Sequence, residues 1–546
     1  MSMANVSAQA PGQVKPPGTV RPGQVERQFE KPPEPSAKPG AIAIPTAGQT
    51  PPANAAGIRF VLNDLRIDGV TAYAPEKLRG IYANSLHKEV SLAEVYRIVD
   101  ALTARYRNDG YILSQVIVPA QSVEDGSIRL QAIEGYVADL RVEGGSAEVR
   151  ERVRRYGEKI RSHRPLTAAV LERYVLLMND LPGVQAHAVL APSQTPGAAD
   201  LVLQVSRHRF AAGFSSDNRG SLAQGRQRVF ADVEFDDVIG ASRTDLREVT
   251  TFTPELIYVA MAHDQVLGTY GGRIAVAGSY VYSQPQELAI VPLDLTTKSA
   301  TLSVSYTHAL VRRRSRNVYL HGAVTAFDSS STIFDIDDTT DRVRAIRAGV
   351  TLDAGDRFGG VNIADIEYSH GLQALGASVN DEAYLSRPNG RADFQKAVLY
   401  AARIQPLSAS WSVAVATNAQ YAFTDLLAPE LFSFGGEQFG RGYDPSEVLN
   451  DHGAAVKLDL RYTHVWGGRR PTGLMPYIFG DAGRVWPRTR VAGLEAAQSA
   501  TSAGFGVRVL VGERLSGFVE FAKPFDQVYG QENKHATKVY AGLTIQ

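Results

Sequence analysis

The chain has 546 residues, and its 57 Lys and Arg are balanced by 57 Asp and Glu, so no net charge draws it towards nucleic acid. It contains no cysteine, which excludes disulfides, thiolate metal sites and cysteine nucleophiles. No run of about 18 apolar residues is present, so the sequence predicts no transmembrane helix. A membrane β-barrel stays compatible with this composition, because a spanning strand needs only about 9–11 residues of alternating character.

The beginning of the sequence has no visible secretory signal. Residues 1–12 contain neither a basic stretch nor an apolar core of the kind a signal peptide carries. We therefore expect either that the chain reaches no membrane or that its leader lies upstream of residue 1.

Residues 1–56 form the first of three compositional zones. They hold 11 of the 28 prolines, and Phe29 is their only aromatic residue. Such a segment favours extended conformations and does not build a core. We expect a flexible Pro-rich tail or linker, and the alternative is a segment that threads or plugs a pore.

Residues 57–208 are predicted to form two small α/β modules, 57–136 and 137–208. In the first, Ser91 and Glu94 have the spacing of a helix capping box. Its predicted elements are a strand, two helices and two strands, at residues 58–69, 75–83, 91–106, 111–119 and 127–134. The same β-α-α-β-β order recurs at residues 137–142, 147–161, 166–181, 185–190 and 200–205. An internal repeat of this kind indicates tandem modules with one shared task.

Residues 209–546 lose helical periodicity and alternate with a period of two. In one example Leu302, Val304 and Tyr306 are interleaved with threonines and serines. A strand with one polar and one apolar face fits either a sandwich with apolar faces inward or a membrane barrel with apolar faces outward. Alternation over 9 to 12 residues, with Tyr or Trp near strand ends, favours the barrel. Division of this zone by about 21 residues per strand and connection gives about 16 strands.

No motif for catalysis is present. The sequence lacks a P-loop, HExxH, GxSxG and a dinucleotide fingerprint, so we predict that the chain is not an enzyme and has no cofactor. Aspartates at 335, 337, 338 and 341 faintly resemble a calcium loop, but the glycine and glutamate of that loop are missing. We therefore predict a solvated surface loop and no metal site.

Two late segments combine glycines with a single charge. The sequence GGEQFGRGYDP at 435–445 places Arg441 among glycines, and FGDAG at 479–483 interrupts a strand pattern with Asp481. A buried aspartate inside a barrel would need a cationic partner. Residue types alone therefore suggest that Arg441 pairs with Asp481, and the alternative is an ordinary loop and a strand-end turn.

Six short motifs occur in order along residues 57–546: Val118-Pro119-Ala120-Gln121, Glu134-Gly135, Leu181-Pro182-Gly183-Val184, Asp217-Asn218-Arg219-Gly220, Phe439-Gly440-Arg441-Gly442-Tyr443 and Phe479-Gly480-Asp481-Ala482-Gly483. They resemble the I-P-x-Q, E-G, L-P-G-V, D-N-x-G, R-G-Y/F and F-x-D-x-G signatures of the outer-membrane transporters of two-partner secretion. These are the TpsB proteins, or ShlB/FhaC/HecB haemolysin secretion/activation family. Each motif is short, and it is their number, order and spacing that make the resemblance specific.

The resemblance implies a fold of α+β and all-β parts, with two POTRA modules followed by a 16-stranded transmembrane β-barrel at residues 209–546. It implies a protein of the bacterial outer membrane with its N-terminal modules in the periplasm. Its partner would be a large unfolded exoprotein, a TpsA-type adhesin or haemolysin, exported without ATP. Outer-membrane lipid and the barrel-assembly machinery would be further partners, and no nucleic acid is expected.

The resemblance also assigns roles to the motif residues. Arg441, Gly442 and Tyr443 would form the tip of an inward-folded loop locked to Asp481, and Phe479 and Gly483 would belong to the barrel-wall motif. The remaining assignments are the client-binding POTRA motifs, Pro119, Gln121, Gly135, Pro182 and Gly183, and the barrel entrance, Asp217, Asn218 and Gly220. Two alternatives stay open: a factor of the same superfamily that inserts other barrels, and a soluble β-sandwich interaction protein.

Overall fold

The computed structural model describes residues 18–30, 32–33, 37, 50–123, 125–195, 197–253, 255–286, 291–467, 472–489, 497–512, 514–528 and 536–546. Within these ranges, no helix combines the length and the apolar character that a membrane crossing requires. The first described segment has a 3₁₀ turn, Gly18–Val20, and one short helix, α1 (Gln24–Arg27).

The first module contains two sheets and two helices. Its elements are β1 (Arg59–Leu62), β2 (Asp64–Asp68), α2 (Pro75–Tyr82), β3 (Lys88–Ser91), α3 (Leu92–Asn108), β4 (Gln115–Ile117) and β5 (Ser127–Ile133). The Oγ of Ser91 accepts a hydrogen bond from the N–H of Glu94 at 3.3 Å, so the predicted cap begins α3. The strand predicted at 58–69 is divided into β1 and β2 because β1 pairs with β3, which the sequence patterns did not reveal.

The second module repeats the arrangement of the first. Its elements are β6 (Tyr136–Gly144), α4 (Ala147–Arg161), α5 (Ala168–Asn179), β7 (Val184–Pro192) and β8 (Ala198–Arg207). In both modules the last strand lies in the centre of a three-stranded sheet, with orders β2-β5-β4 and β6-β8-β7. In both, it runs parallel to the first strand of its sheet and antiparallel to the other. The predicted β-α-α-β-β repeat is confirmed.

The remaining strands close into a barrel. They are β9 (Phe210–Asp217), β10 (Arg228–Asp236), β11 (Ser242–Thr251), β12 (Leu256–Leu267), β13 (Gly272–Ser283), β14 (Thr296–Arg312), β15 (Arg316–Ile333), β16 (Ile336–Gly355), β17 (Val361–Gly371), β18 (Gln395–Pro406), β19 (Trp411–Ala422), the loop strands β20 (Phe432–Phe434) and β21 (Val448–Asn450), then β22 (His452–Tyr462), β23 (His464–Trp466), β24 (Thr472–Trp486), β25 (Gln498–Val511), β26 (Leu515–Pro524) and β27 (Lys538–Ile545). Each neighbour pair is antiparallel, and β27 closes onto β9. Both β22 and β23 pair with β24 and form one interrupted strand, so the described barrel has 16 strands.

The barrel surface is apolar and its interior is polar, as a membrane barrel requires. On β14, Leu302, Val304 and Tyr306 are 56%, 43% and 47% exposed, and the alternate Ser and Thr residues face inward. Trp411 and Tyr421 both face outward on β19, ten residues apart. A rise of about 3.4 Å per residue and a strand tilt of about 40° put them roughly 26 Å apart along the barrel axis, close to the ~25 Å apolar band of such barrels. The sandwich alternative is therefore wrong.

The second module is bound to the turns at one end of the barrel. Asp180 accepts two hydrogen bonds from the guanidinium of Arg312, at 2.7 and 2.8 Å, at the end of β14. The hydroxyl of Tyr156 donates to the carbonyl of Gly268, in the turn between β12 and β13, at 3.2 Å. These contacts fix which end of the barrel faces the modules.

Candidate functional site in the barrel lumen

The connection between β19 and β22 folds into the barrel. Within it, β20 and β21 pair as a short hairpin, and a buried apolar cluster joins the loop to the wall: Phe432, Phe434, Phe439, Tyr443 and Val448 of the loop, with Ala416, Ala455, Val485 and Ala500 of the strands. On β24, Ile478 is 58% exposed towards lipid, so Asp481, with the opposite parity, faces the lumen. The loop therefore occupies part of the lumen.

Arg441 at the tip of this inward loop is held by the barrel wall. Asp481 Oδ2 accepts hydrogen bonds from the backbone N–H and Nε of Arg441, at 2.8 and 3.0 Å, and Oδ1 accepts from Nη2 at 2.7 Å. Nη2 also donates to Asp459 Oδ1 on β22 at 2.8 Å. The guanidinium lies 3.7 Å from the ring centre of Phe479, a cation–π contact. The structure thus brings Arg441, Phe479 and Asp481 together and adds Asp459, which sequence reasoning missed.

Two glycines allow this close approach. A Cβ on Gly442 would lie 2.7 Å from the Cβ of Ser502 and 2.9 Å from the backbone nitrogen of Pro524. A Cβ on Gly483 would lie 2.2 Å from the ring of Phe434. Any side chain at either position would push the loop away from the wall.

The residues after Arg441 connect the loop to β25, to the segment after β26 and to the start of β27. The Tyr443 hydroxyl lies 2.9 Å from the carbonyl of Thr501 and accepts from the backbone N–H of Asp526 at 3.2 Å. Asp444 accepts from the ammonium of Lys538, at the start of β27, at 2.5 Å. The loop tip is therefore fixed to three different parts of the wall.

The Asp217-Asn218-Arg219-Gly220 motif lies at the end of β9 that points away from the modules. Asp217 is bound by Arg228 through two hydrogen bonds of 2.9 Å. Asn218 bridges the seam, since its side-chain amide donates to Val539 and accepts from the N–H of Ala541. Gly220 has the carbonyl oxygen of Gly225 2.0 Å from where a Cβ would be.

The motif of the first module that contains Pro119 and Gln121 lies along the edge of its sheet. The amide of Gln121 accepts from the backbone N–H of Arg129 at 2.9 Å and donates to its carbonyl at 2.7 Å. These are the two groups of β5 that a longer β4 would bond, because β4 ends at Ile117, opposite Gln131. Gln121 therefore holds the exposed segment after Pro119 against β5.

The other module motifs lie at junctions. The carbonyl of Gly135 accepts from Leu166 of the second module at 2.9 Å, and a Cβ there would meet Leu113 at 2.4 Å. Pro182 and Gly183 are buried, and the carbonyl of Gly183 accepts from His208 just before the barrel at 3.0 Å. Gly135 therefore lies at the connection between the two modules, and Gly183 lies at the connection between the second module and the barrel.

Glu134, next to Gly135, organises the first module electrostatically. Burial disfavours its charged form, but hydrogen bonds from the Thr71 hydroxyl, the N–H groups of Thr71 and Ala72 and the Tyr106 hydroxyl outweigh that effect. The pKa of the Glu134 carboxyl is therefore lowered from its ordinary value.

Residues 18–30 lie inside the barrel, against the inward loop and the wall. The side-chain amide of Gln24 donates to the carbonyl of Ala428 at 2.8 Å, and Arg27 lies 3.8 Å from Glu430. Glu430 is itself buried between Arg347 and Lys396, each at 2.7 Å. For residues 18–30, these contacts favour a segment that threads or plugs the pore over a flexible tail. Glu430 lies in no motif, so no sequence pattern pointed to it.

Two family models match this chain. One is described as haemolysin secretion/activation protein ShlB/FhaC/HecB and matches residues 275–509, and the other, POTRA domain, ShlB-type, matches residues 60–135. The heme/hemopexin transporter protein HuxB of Haemophilus influenzae is 22% identical over 499 residues, which cover 88% of this chain and 86% of HuxB. The hemolysin transporter protein HpmB of Proteus mirabilis is 24% identical over 474 residues, 84% of this chain and 80% of HpmB.

The fold is shared with a solved structure. CdiB from Escherichia coli superimposes with a TM-score of 0.76 at 16% sequence identity, over 92% of this chain and 93% of that protein. The barrel, the two modules and both family models indicate the same family. The chain belongs to the ShlB/FhaC/HecB haemolysin secretion/activation family, the outer-membrane transporters of two-partner secretion, with its barrel in the outer membrane and its N-terminal modules in the periplasm.

Proposed function

We propose that this transporter exports one large, unfolded exoprotein through its barrel, and that the Arg441–Asp481 pair is the lock on the inward loop. The observation that carries the lock is the set of three hydrogen bonds from Arg441 to one buried carboxylate. Paired Arg–carboxylate contacts are strong and directional, which suits a contact that must hold a loop in one place. Because the loop occupies the lumen, its displacement from the wall would widen the path for the client.

Residues 18–30 are the second obstacle in the lumen, and we assign them the role of plug. In support, Val25 is 1% and Phe29 7% exposed, and both pack with Val249, Leu256 and Val281 of the wall. The plug is bound to the stem of the inward loop through Gln24 and Arg27. Export would then require both obstacles to leave the lumen.

The periplasmic modules are proposed to receive the client by strand addition. In the described structure β2 has only β5 as a strand partner, so its other edge is available for an incoming strand. At the opposite edge the sheet is closed beyond β4 by the amide of Gln121. The family's work with partner exoproteins, and relatives named for heme/hemopexin and hemolysin transport, support a client of the adhesin or haemolysin type.

The test compares proteins released into the medium by strains with and without this gene. We expect one large, β-rich protein to disappear from the medium of the deletion strain and to return on complementation. An unchanged medium, together with depletion of other outer-membrane barrels, would instead support the barrel-insertion factor and refute export as the function.

A further inference from the structure

Four exposed arginines lie on two neighbouring turns at the periplasmic end of the barrel. Arg313 and Arg314 belong to the connection between β14 and β15, Arg316 is the first residue of β15, and Arg357 belongs to the connection between β16 and β17. The turns touch, since the N–H of Gly355 donates to the carbonyl of Ser315 at 2.9 Å. We call these four residues the basic rim.

The basic rim lies at the boundary of the lipid-facing surface. Arg316 has the same outward direction on β15 as Leu320 and Val324, which are 42% and 51% exposed, and it begins that row at the periplasmic end. On the next turn Phe358 is 68% exposed and lies beneath the guanidinium of Arg357, at 4.8 Å. Positive charge next to an exposed aromatic ring fits the interface between headgroups and acyl chains.

The charges of the basic rim are not neutralised by the protein. Within the described ranges, no carboxylate lies within salt-bridge distance of any of the four guanidinium groups. The nearby acids have other partners: Asp180 binds Arg312, Asp356 binds Arg403, and Glu172 accepts the backbone N–H of Arg314 at 2.7 Å. Four positive charges therefore remain at one place on the membrane boundary.

We propose that the basic rim binds the phosphate headgroup of an anionic phospholipid of the phosphatidylglycerol type in the periplasmic leaflet. Guanidinium groups suit phosphate because their planar donors bond two oxygens at once. The acyl chains would then lie along the apolar row that begins above Arg316, and Phe358 would contact the glycerol region. An acidic segment of the client could also meet these charges, and the test separates the two.

The experiment measures binding of a fluorescent short-chain phosphatidylglycerol to the full chain in neutral detergent by anisotropy. Each basic residue near an anionic surface raises the affinity by roughly a factor of five, so loss of three should weaken binding by R313Q/R314Q/R316Q about 100-fold. R313K/R314K/R316K should stay within several-fold of the unmodified chain. The matched control, R59Q/R79Q/R97Q, removes three exposed arginines from the first module and should not change binding.

Competition on the unmodified chain decides the source of the phosphate independently of any variant. We expect unlabelled phosphatidylglycerol to displace the probe and phosphatidylcholine, inorganic phosphate and a poly-glutamate peptide to fail at the same concentration. Displacement by inorganic phosphate or by the peptide would refute the lipid assignment, as would equal affinity of the Gln variant and the unmodified chain. Barrel integrity is checked by the gel shift on boiling, and if the Gln variant does not fold, the competition series alone decides between lipid and the other anions.

Discussion

Asp481→Ala provides the sharpest test of the loop lock. The substitution removes the acceptor of three hydrogen bonds from Arg441 and leaves that arginine, 4% exposed in the native chain, with Asp459 as its only carboxylate partner in the described structure. Loss of one member of a buried ion pair costs about 3–5 kcal/mol. Since Asp459 remains at 2.8 Å, we expect the lower end, about 3 kcal/mol.

A change of about 3 kcal/mol shifts the ratio of inward to displaced loop by roughly 150-fold. Asp481→Asn keeps one acceptor oxygen for the N–H and Nε of Arg441, but it loses the charge and replaces the acceptor of Nη2 by an NH2 group. Its effect should be about half as large in free energy, because charge-assisted hydrogen bonds are about twice as strong as neutral ones. The two variants therefore form a graded series. The barrel should remain assembled in both variants, because Asp481 faces the lumen and not the lipid.

The chain contains no cysteine, so one introduced thiol reports on the loop alone. Ala500 on β25 is 1% exposed and packs in the cluster that joins the loop to the wall, so Ala500→Cys should react with a bulky maleimide only when the loop leaves the wall. The labelling rate should rise in proportion to the displaced population, by roughly 150-fold with Asp481→Ala. The control is Asp264→Ala, at an aspartate of the lumen whose carboxylate accepts hydrogen bonds from Arg273 alone in the described structure. A rate equal in both variants, with intact barrels, would refute the lock.

Three further predictions concern the plug and the first module. Gln24→Ala with Arg27→Ala removes the bonds of the plug to the inward loop, so the fraction of open pores in single-channel recordings should rise about tenfold. Arg59→Ala is the inert control, and unchanged conductance of the double variant would contradict the plug assignment. Because the pKa of Glu134 is lowered on folding, its stabilisation is present above the ordinary carboxyl pKa and is lost as the pH falls through the lowered value. Amide exchange at Thr71 and Ala72, corrected for intrinsic rate, should therefore accelerate in acid, and Glu134→Gln should remove this pH dependence. Gln121→Ala removes the bonds that hold the segment after Pro119 against β5, so amide exchange at Arg129 should accelerate by roughly tenfold without unfolding of the module, whereas Gln185→Ala, at an exposed glutamine of the second module, should leave it unchanged.

The barrel and the module repeat could be predicted from the sequence because their signal is local and repeated. On β14, apolar residues such as Leu302, Val304 and Tyr306 stand at every second position, and the same alternation recurs in other barrel strands. The cap at Ser91 was equally visible, since it depends on residues three positions apart. In contrast, β3 escaped prediction because four residues with two charges carry little pattern of their own, and their strand conformation comes from pairing with β1.

The lumen contacts depend on residues far apart in the chain. Arg441 and Asp459 are 18 positions apart, and Asp459 was visible only as one polar position in the alternating strand β22. Glu430 follows a proline in a short 3₁₀ turn, and nothing in its neighbourhood indicates that Arg347 and Lys396 will surround it. Gln24 meets Ala428 across 404 positions, so the Pro-rich composition around it could suggest only a tail or a threading segment.

The contacts in the lumen impose an order on the two obstacles. The segment of residues 18–30 is bound to the stem of the inward loop, through Ala428 and Glu430, while the tip of that loop is bound to the wall through Arg441 and Asp481. Departure of the segment removes one of the three cations around Glu430 but leaves Arg347 and Lys396 at 2.7 Å, so the stem keeps its ion pairs and the lock keeps all of its bonds. If the loop moved first, the segment would instead lose the Ala428 carbonyl that binds Gln24 and the Glu430 carboxylate near Arg27. The segment can therefore leave while the loop stays locked, whereas the loop cannot leave without loosening the segment.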